Sequence, residues 1–239
     1  MLTVILEPLE KVNLFNQYVV RNRKRDVLKD KVKREVNTVY VDLSIDERNV
    51  YQCVIDSVFD YMDQNDINNE GFILSGPERQ ISSSICGTLR YWGSTGIGNE
   101  EEKNKKTGPL LNHLKCTVPE RCDGPALKRN DNKYNQLVNT LNDYLSVNPG
   151  KKLILFSFYK TTLDYLYERL NEDNFESTLI TGDFNPAERW NRIEDFRKKS
   201  SKILLSSEVG SEGIDLQFCS AIINYDLPWN PMKIEQRIG

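Results

Sequence analysis

"KLILFSFYKTTLDYLYERLNEDNFESTLI", residues 152–180, is the stretch that decides the architecture. Its first seven residues form a nearly continuous apolar run, the pattern of a parallel strand covered on both faces. Leu163, Leu166, Tyr167 and Leu170 then recur at i, i+3, i+4 and i+7, which puts them on one face of a helix. "STLIT" at 177–181 returns to strand. Strand, helix and strand in this order predict a βαβ unit, because parallel strands need a crossover between them.

The same rhythm continues toward the C-terminus. "NPAERWNRIEDF" at 185–196 opens with Asn185 as helix cap, Pro186 at the first helical position and Glu188 at N3. "KILLSS" and "AIINYD" supply two more strands, so the pattern predicts an α/β domain with helices on both faces of a parallel sheet. On the N-terminal side, Tyr134, Leu137, Val138, Leu141 and Leu145 share a helix face that "NPG" at 148–150 terminates. Farther upstream the alternation stops. An extended "VNTVYVDL" leads into a capping box, Ser44 with Glu47, and a helix with Val50, Val54, Val58 and Met62 at every fourth position. Residues 72–92 are helix-compatible, and 93–109, rich in Gly, Lys and Glu, read as a mobile loop.

Composition bounds the function classes. The chain has 239 residues, 38% of them hydrophobic and 28% charged, and its longest apolar runs are too short to span a bilayer. The opening "MLTVIL" has no basic leader, and five cysteines without regular spacing suit a reducing compartment. These features predict a cytosolic or nuclear protein without a membrane partner. The net charge is −3, yet 21–34 hold eight Lys/Arg against two Asp, a local +6. Such clustering fits phosphate backbones, through counterion release, or equally a solvated helix face.

In an open parallel sheet, ligands sit beyond the carboxyl ends of the strands. The residues there are Ser157 to Lys160, Thr181 to Asp183, Ser206 to Gly213 and Asp226 to Asn230. Their hydroxyls, glycines and amides suit phosphate, although each alone also reads as a turn residue. His113, Cys116 and Cys122 have the spacing of three zinc ligands, one fewer than a structural site takes, and His113 reads as a loop residue instead. Among the aromatics, Trp190, Tyr225 and Phe196 are predicted to pack in the core, whereas Trp229 falls in a loop where it could stack a base.

Taken as an ordered set, "LILFSFYKTTLDYL", "ITGDFNPAERWNRIEDF", "ILLSSEVGSEGIDLQ" and "AIINYDLPWNPMKIEQRIG" resemble motifs IV, IVa, V and the start of VI in the second RecA-like lobe of superfamily-two helicases. The wording is nearest the Swi/Snf DNA translocases, in their bacterial RapA/HepA-like branch. "YVVRNRKRDVLKD" and "VYVDLSIDERNVYQ" resemble that family's basic segment after the first lobe and the strand and helix that follow. The resemblance implies three regions: 1–36, the end of a first lobe and a basic linker; 37–132, a mainly helical insertion containing the mobile loop; and 133–239, a RecA-like helicase C-terminal lobe.

It also implies a motor that uses ATP and Mg to move along double-stranded DNA, the nucleotide lying between two lobes. Gly213, Asp215 and Gln236 are then expected to face the nucleotide, with Asp215 at the ribose. Ser157, Lys160, Gly182, Arg189 and Ser207 face the DNA backbone, and Arg23, Lys24 and Arg25 add the basic stretch. Glu208 stands where many remodellers have Arg, which puts a phosphate contact there in doubt. In the family pattern two arginines follow "EQRIG" and reach the γ-phosphate; Arg237 lies outside that register and reads as surface or lobe packing. The sequence has no "GxxxxGK[ST]" loop and no "DE" box after a buried strand. Residues 1–239 alone are therefore expected to need no cofactor and to lack turnover, the remainder of the site coming from a first RecA-like lobe. The competing reading is a non-motor RecA-like module that docks a partner such as RNA polymerase.

Overall fold

The computed structural model describes residues 35–68, 70–94, 108–121, 124–208, 216–228 and 230–238. Residues 35–40, all exposed, belong to a separate compact unit, Met1–Tyr40; the elements described belong to the unit Val41–Gly239.

Helix α1, Ile45–Gln64, begins where the sequence places its cap. The Glu47 N–H donates to Ser44 Oγ at 3.2 Å and the Ser44 N–H to Glu47 Oε2 at 2.7 Å, closing the capping box. Two of the backbone donors that a helix start leaves unpaired are thereby satisfied. Val50, Val54, Val58 and Met62 are all buried, as a four-residue repeat on one helical face requires. They meet α2 (Glu70–Ser83), α3 (Ile85–Ser94), α4 (Gly108–Arg121) and α5 (Gly124–Arg129) in one apolar cluster that encloses Ile81, Trp92, Leu114 and Val118. His113 is part of α4, half-buried with its ring 5.5 Å from Tyr61, so the expected loop is a helix there. Of the segment 93–109, residues 93–94 and 108–109 are helical, and 95–107 lie outside the described residues.

Helix α6, Asn132–Val147, leads into strand β1, Lys152–Phe156, through a turn in which Gly150 takes φ +86°, a conformation that glycine adopts without Cβ strain. Then follow α7 (Lys160–Glu172), β2 (Ser177–Ile180), α8 (Pro186–Lys198), β3 (Ile203–Ser206), β4 (Cys219–Asn224) and α9 (Pro231–Ile238). The four strands pair in parallel in the order β2-β3-β1-β4, so the chain first reaches the edge at β2, returns with β3 to fill the place beside β1 and then crosses to the other side of β1. Alternate residues of β1 feed different cores. Leu153 and Leu155 pack with Leu141 of α6 and Leu163, Leu166 and Leu170 of α7, while Ile154 and Phe156 pack with Ile193 and Phe196 of α8. "KLILF" is apolar at nearly every position because both faces are covered.

The helical cluster and the sheet meet along a polar seam. Asp131 caps α6 by accepting from the Tyr134 N–H at 2.9 Å, and its other oxygen accepts from the Tyr165 hydroxyl at 2.7 Å and from Arg169 at 3.4 Å. The Arg169 guanidinium lies 3.8 Å from the Tyr134 ring centroid. Burial, reinforced by Asp131, pushes the Tyr165 hydroxyl well above its ordinary pKa, and burial pushes the nearby Cys86 thiol up to about 12. Both groups therefore stay neutral donors. At the same seam α3 approaches α7 closely at Gly87: a Cβ there would lie 3.2 Å from the Thr161 carbonyl oxygen and 3.2 Å from Tyr165 Cβ.

Candidate nucleic-acid and nucleotide interface at the strand ends

The carboxyl ends of the four strands define one edge of the lobe, and Asp226, two residues past β4, organises it. Its Oδ2 accepts from Ser157 Oγ at 2.5 Å and from Ser83 Oγ at 2.6 Å, and its Oδ1 accepts from the Phe158 N–H at 2.7 Å. One carboxylate thus ties the end of β4 to the loop after β1 and to the last residue of α2. Ser83 Oγ also shares a hydrogen bond with Thr162 Oγ1 at 2.8 Å, extending the network to the first turn of α7. Beside it the Lys133 ammonium donates to the Ser82 and Ser83 carbonyls at 2.9 and 2.8 Å and lies 4.4 Å from the Tyr225 ring centroid. A cation at the last carbonyls of α2 offsets the negative end of that helix. Burial lowers the pKa of Lys133 to about 8, although Asp226, Asp131 and Glu47 oppose the shift.

Five of the sequence-predicted residues can be placed on this edge. Ser157 is fully buried and spends its proton on Asp226. Lys160, exposed at the start of α7, forms an ion pair with Asp183 after β2, which raises its pKa. Gly182 is exposed in the turn between β2 and α8, and Arg189 is half-buried on the first turn of α8. Ser207 follows β3, half-buried, its N–H donating to the Ile180 carbonyl at 3.2 Å. These residues share the end of the sheet, with Lys160 and Gly182 the exposed members. Gly213, Asp215, Arg23, Lys24 and Arg25 lie outside the described residues, as does the side chain of Gln236, whose backbone belongs to α9.

Two features of the edge were not assigned from sequence. One is Asp226 itself: the sequence marks it as a strand-end residue, but its partner Ser83 is 143 positions away and carries no signal of the contact. The other is an ion cluster around Glu208. Arg237 donates to Glu208 Oε1 at 2.8 Å and to Asn224 Oδ1 at 2.6 Å, and Lys233 donates to Glu208 Oε2 at 2.5 Å. With a side chain only 4% exposed, Arg237 packs inside the lobe and joins α9 to β4. Trp190 departs from its expected core position and is 59% exposed, whereas Phe196 and Tyr225 are buried; Trp229 lies outside the described residues. Among the described residues there is no group of His, Cys, Asp and Glu arranged to hold a metal ion.

Comparison with known proteins agrees with this architecture. Residues 132–239 match the helicase conserved C-terminal domain family. The chain is 29% identical over 231 residues to an uncharacterized ATP-dependent helicase, YqhH, of Bacillus subtilis, covering 95% of this chain and 38% of that protein. It is 34% identical over 114 residues to the ATP-dependent RNA helicase FAL1 of Pyricularia oryzae, covering 48% of this chain and 27% of that protein. The chain thus spans well under half the length of either relative. In fold it resembles the C-terminal part of the Fun30 ATPase domain, with a TM-score of 0.50 at 18% identity over 83% of this chain and 77% of that one. It also resembles the Hef helicase domain of Pyrococcus furiosus, with a TM-score of 0.54 at 15% identity over 83% and 50%. From Asn132 onward, the parallel four-stranded sheet with its flanking helices has the fold of a RecA-like helicase C-terminal lobe.

Proposed function

We propose that this chain supplies the second lobe of an ATP-dependent double-stranded DNA translocase of the Swi/Snf type, in the RapA/HepA-like branch. The observation that carries the reading is the extent of likeness to the Bacillus helicase. It covers 95% of the chain, the helical region before the lobe included, whereas the likeness to FAL1 stops at 114 residues. A motor that shares only the lobe accounts for less of this molecule than one that shares the lobe and its helical approach. The name of the Bacillus relative supports ATP as fuel, with Mg as its usual companion.

In this reading Gly213, Asp215 and Gln236 contact the nucleotide, and Lys160, Gly182, Arg189 and Ser207 form part of the DNA track, with Ser157 buried at its base. The basic stretch at 21–34 supplies counterion release, the protein works in the cytoplasm or nucleus, and residues 1–36, 37–132 and 133–239 divide the labour as linker, helical insertion and lobe. A first RecA-like lobe is the obligatory partner. Transition-state stabilisation in phosphoryl transfer comes from charge placed on the γ-phosphate, and neither a phosphate loop nor a magnesium-binding "DE" box occurs in residues 1–239. The chain by itself therefore binds DNA without measurable ATP turnover.

Fluorescence anisotropy of the chain on duplex DNA, duplex RNA and single strands, titrated with salt, tests the proposal. Duplex DNA is expected to bind independently of sequence, with affinity falling steeply as salt rises. Reversing the charges of Arg23, Lys24 and Arg25 together reduces both affinity and slope. A second reading, an RNA motor, has the FAL1 likeness in its favour, and tighter binding to single-stranded RNA than to duplex DNA would establish it over the first.

A further inference from the structure

The loop between β1 and α7 carries an aromatic side chain that the DNA track does not use. Phe158 is 44% exposed, although its own backbone N–H is fixed by Asp226. The ring is thus presented by a fastened loop. Tyr159 meets it edge-on, with ring centroids 5.1 Å apart. Two cations lie over it: the Arg79 guanidinium of α2 at 5.6 Å from the ring centroid and the Lys233 ammonium of α9 at 5.9 Å. Both distances are near the outer limit of cation–π contact, about 6 Å, and Phe158 stays 44% exposed beside the two cations. Glu208 is the ion-pair partner of both Lys233 and Arg237. Leu227 and Met232, at 68% and 65% exposure, are further exposed apolar side chains beside Asp226 and Lys233 in the chain.

A part-exposed aromatic ring with two cations close by matches a nucleotide, a flat π-system joined to phosphate, better than it matches an apolar peptide, which has no use for the charges. We propose that Phe158 is a stacking platform for an unpaired nucleobase, with Arg79 and Lys233 positioned for the flanking phosphates. The proposal rests on the nucleic-acid reading given above and deepens it. The lobe then tracks paired strands through backbone contacts and holds a base that has left the stack through Phe158.

The test places 2-aminopurine as the first unpaired base of an overhang on a DNA duplex, with an RNA overhang as a parallel arm. The unmodified chain is expected to bind the overhang and to quench the probe by stacking. Phe158→Ala abolishes the quench and weakens overhang binding about tenfold, the scale of one base–aromatic stack, while blunt-duplex affinity stays within about twofold. Phe158→Trp retains the quench, which separates stacking from loss of fold; the Asp226 contact uses only the backbone of residue 158 and survives either change. Equal quenching by Phe158→Ala and the unmodified chain overturns the inference and leaves the DNA reading intact. If Phe158→Ala changes self-association in sedimentation and not the quench, the ring is a protein contact and the inference also falls. Failure of the unmodified chain to bind any nucleic acid overturns both.

Discussion

Arg237 shows how a single side chain is constrained once its surroundings are closed. Its guanidinium is almost fully buried between Glu208, Asn224 and the Phe156 ring, whose centroid lies 4.9 Å away. Taking one partner from a buried pair leaves the other charge without solvent, at a cost of about 3 kcal/mol or more. Glu208→Ala should therefore lower unfolding stability by about 3 kcal/mol in urea titrations, and Glu208→Ala combined with Arg237→Met should recover most of the loss. Lys133 makes a different prediction. Its pKa is about 8 in the folded chain and near 10.4 when unfolded, so between these values the unfolded state binds more protons. Stability from this group consequently rises with pH across that window. Facing Lys133 are Asp226, Asp131, Glu47 and the Tyr225 ring. The stability of the unmodified chain relative to Lys133→Met should grow from pH 8 to pH 10.5; a flat difference would mean that the ammonium is solvated.

Single elements were the most legible scale. Capping boxes at Ser44 and Asn185 start helices where the sequence places them, because caps are local chemistry among residues three apart. Strand β1 was legible because two-sided burial makes the run continuously apolar. Trp190 was misread for a geometric reason. It sits three residues before buried Ile193, on the same face by spacing, but residues 186–192 of α8 are exposed or half-buried and burial begins only at Ile193. Periodicity gives direction around a helix and not where along it the sheet begins. Asp226 and Glu208 were opaque for another reason: their roles are set by partners tens to more than a hundred residues away. Between elements, α3 approaches α7 closely at Gly87. Gly→Ala in a helix ordinarily gains about 1 kcal/mol, but here the new methyl meets a backbone carbonyl of α7 that cannot swing aside. Gly87→Ala should be net destabilising by about 1 kcal/mol by thermal or chemical unfolding, and a stabilised variant would show that the two helices separate easily.

At the scale of the molecule from Val41 onward, the helical cluster and the sheet own separate apolar cores, joined by hydroxyls, carboxylates and cations. Arg90 with Glu168, and Lys128 with Glu172 at 2.6 Å, add exposed ion pairs to the join; such surface pairs contribute little stability each. The fastening is therefore concentrated in the buried Asp131 and Asp226 networks. That arrangement explains how α2, through Ser83, reaches the loop that presents Phe158 on the far edge of the sheet.

The burial of Trp92 gives the two cores different optical signatures. Its indole is 1% exposed within the helical cluster, and its N–H has no hydrogen-bond partner among the described residues, whereas Trp190 stands in solvent on α8. An indole in a dry apolar site emits at shorter wavelength than one in water, so a chain carrying Trp190→Phe and Trp229→Phe keeps one blue-emitting reporter confined to the helical region. Its emission should shift to the red when that region opens, while circular dichroism follows the whole chain. Coincident curves would make the two cores one cooperative unit. A red shift that precedes the loss of ellipticity would show the helical region letting go of the sheet first, by light from a single side chain and without an attached dye.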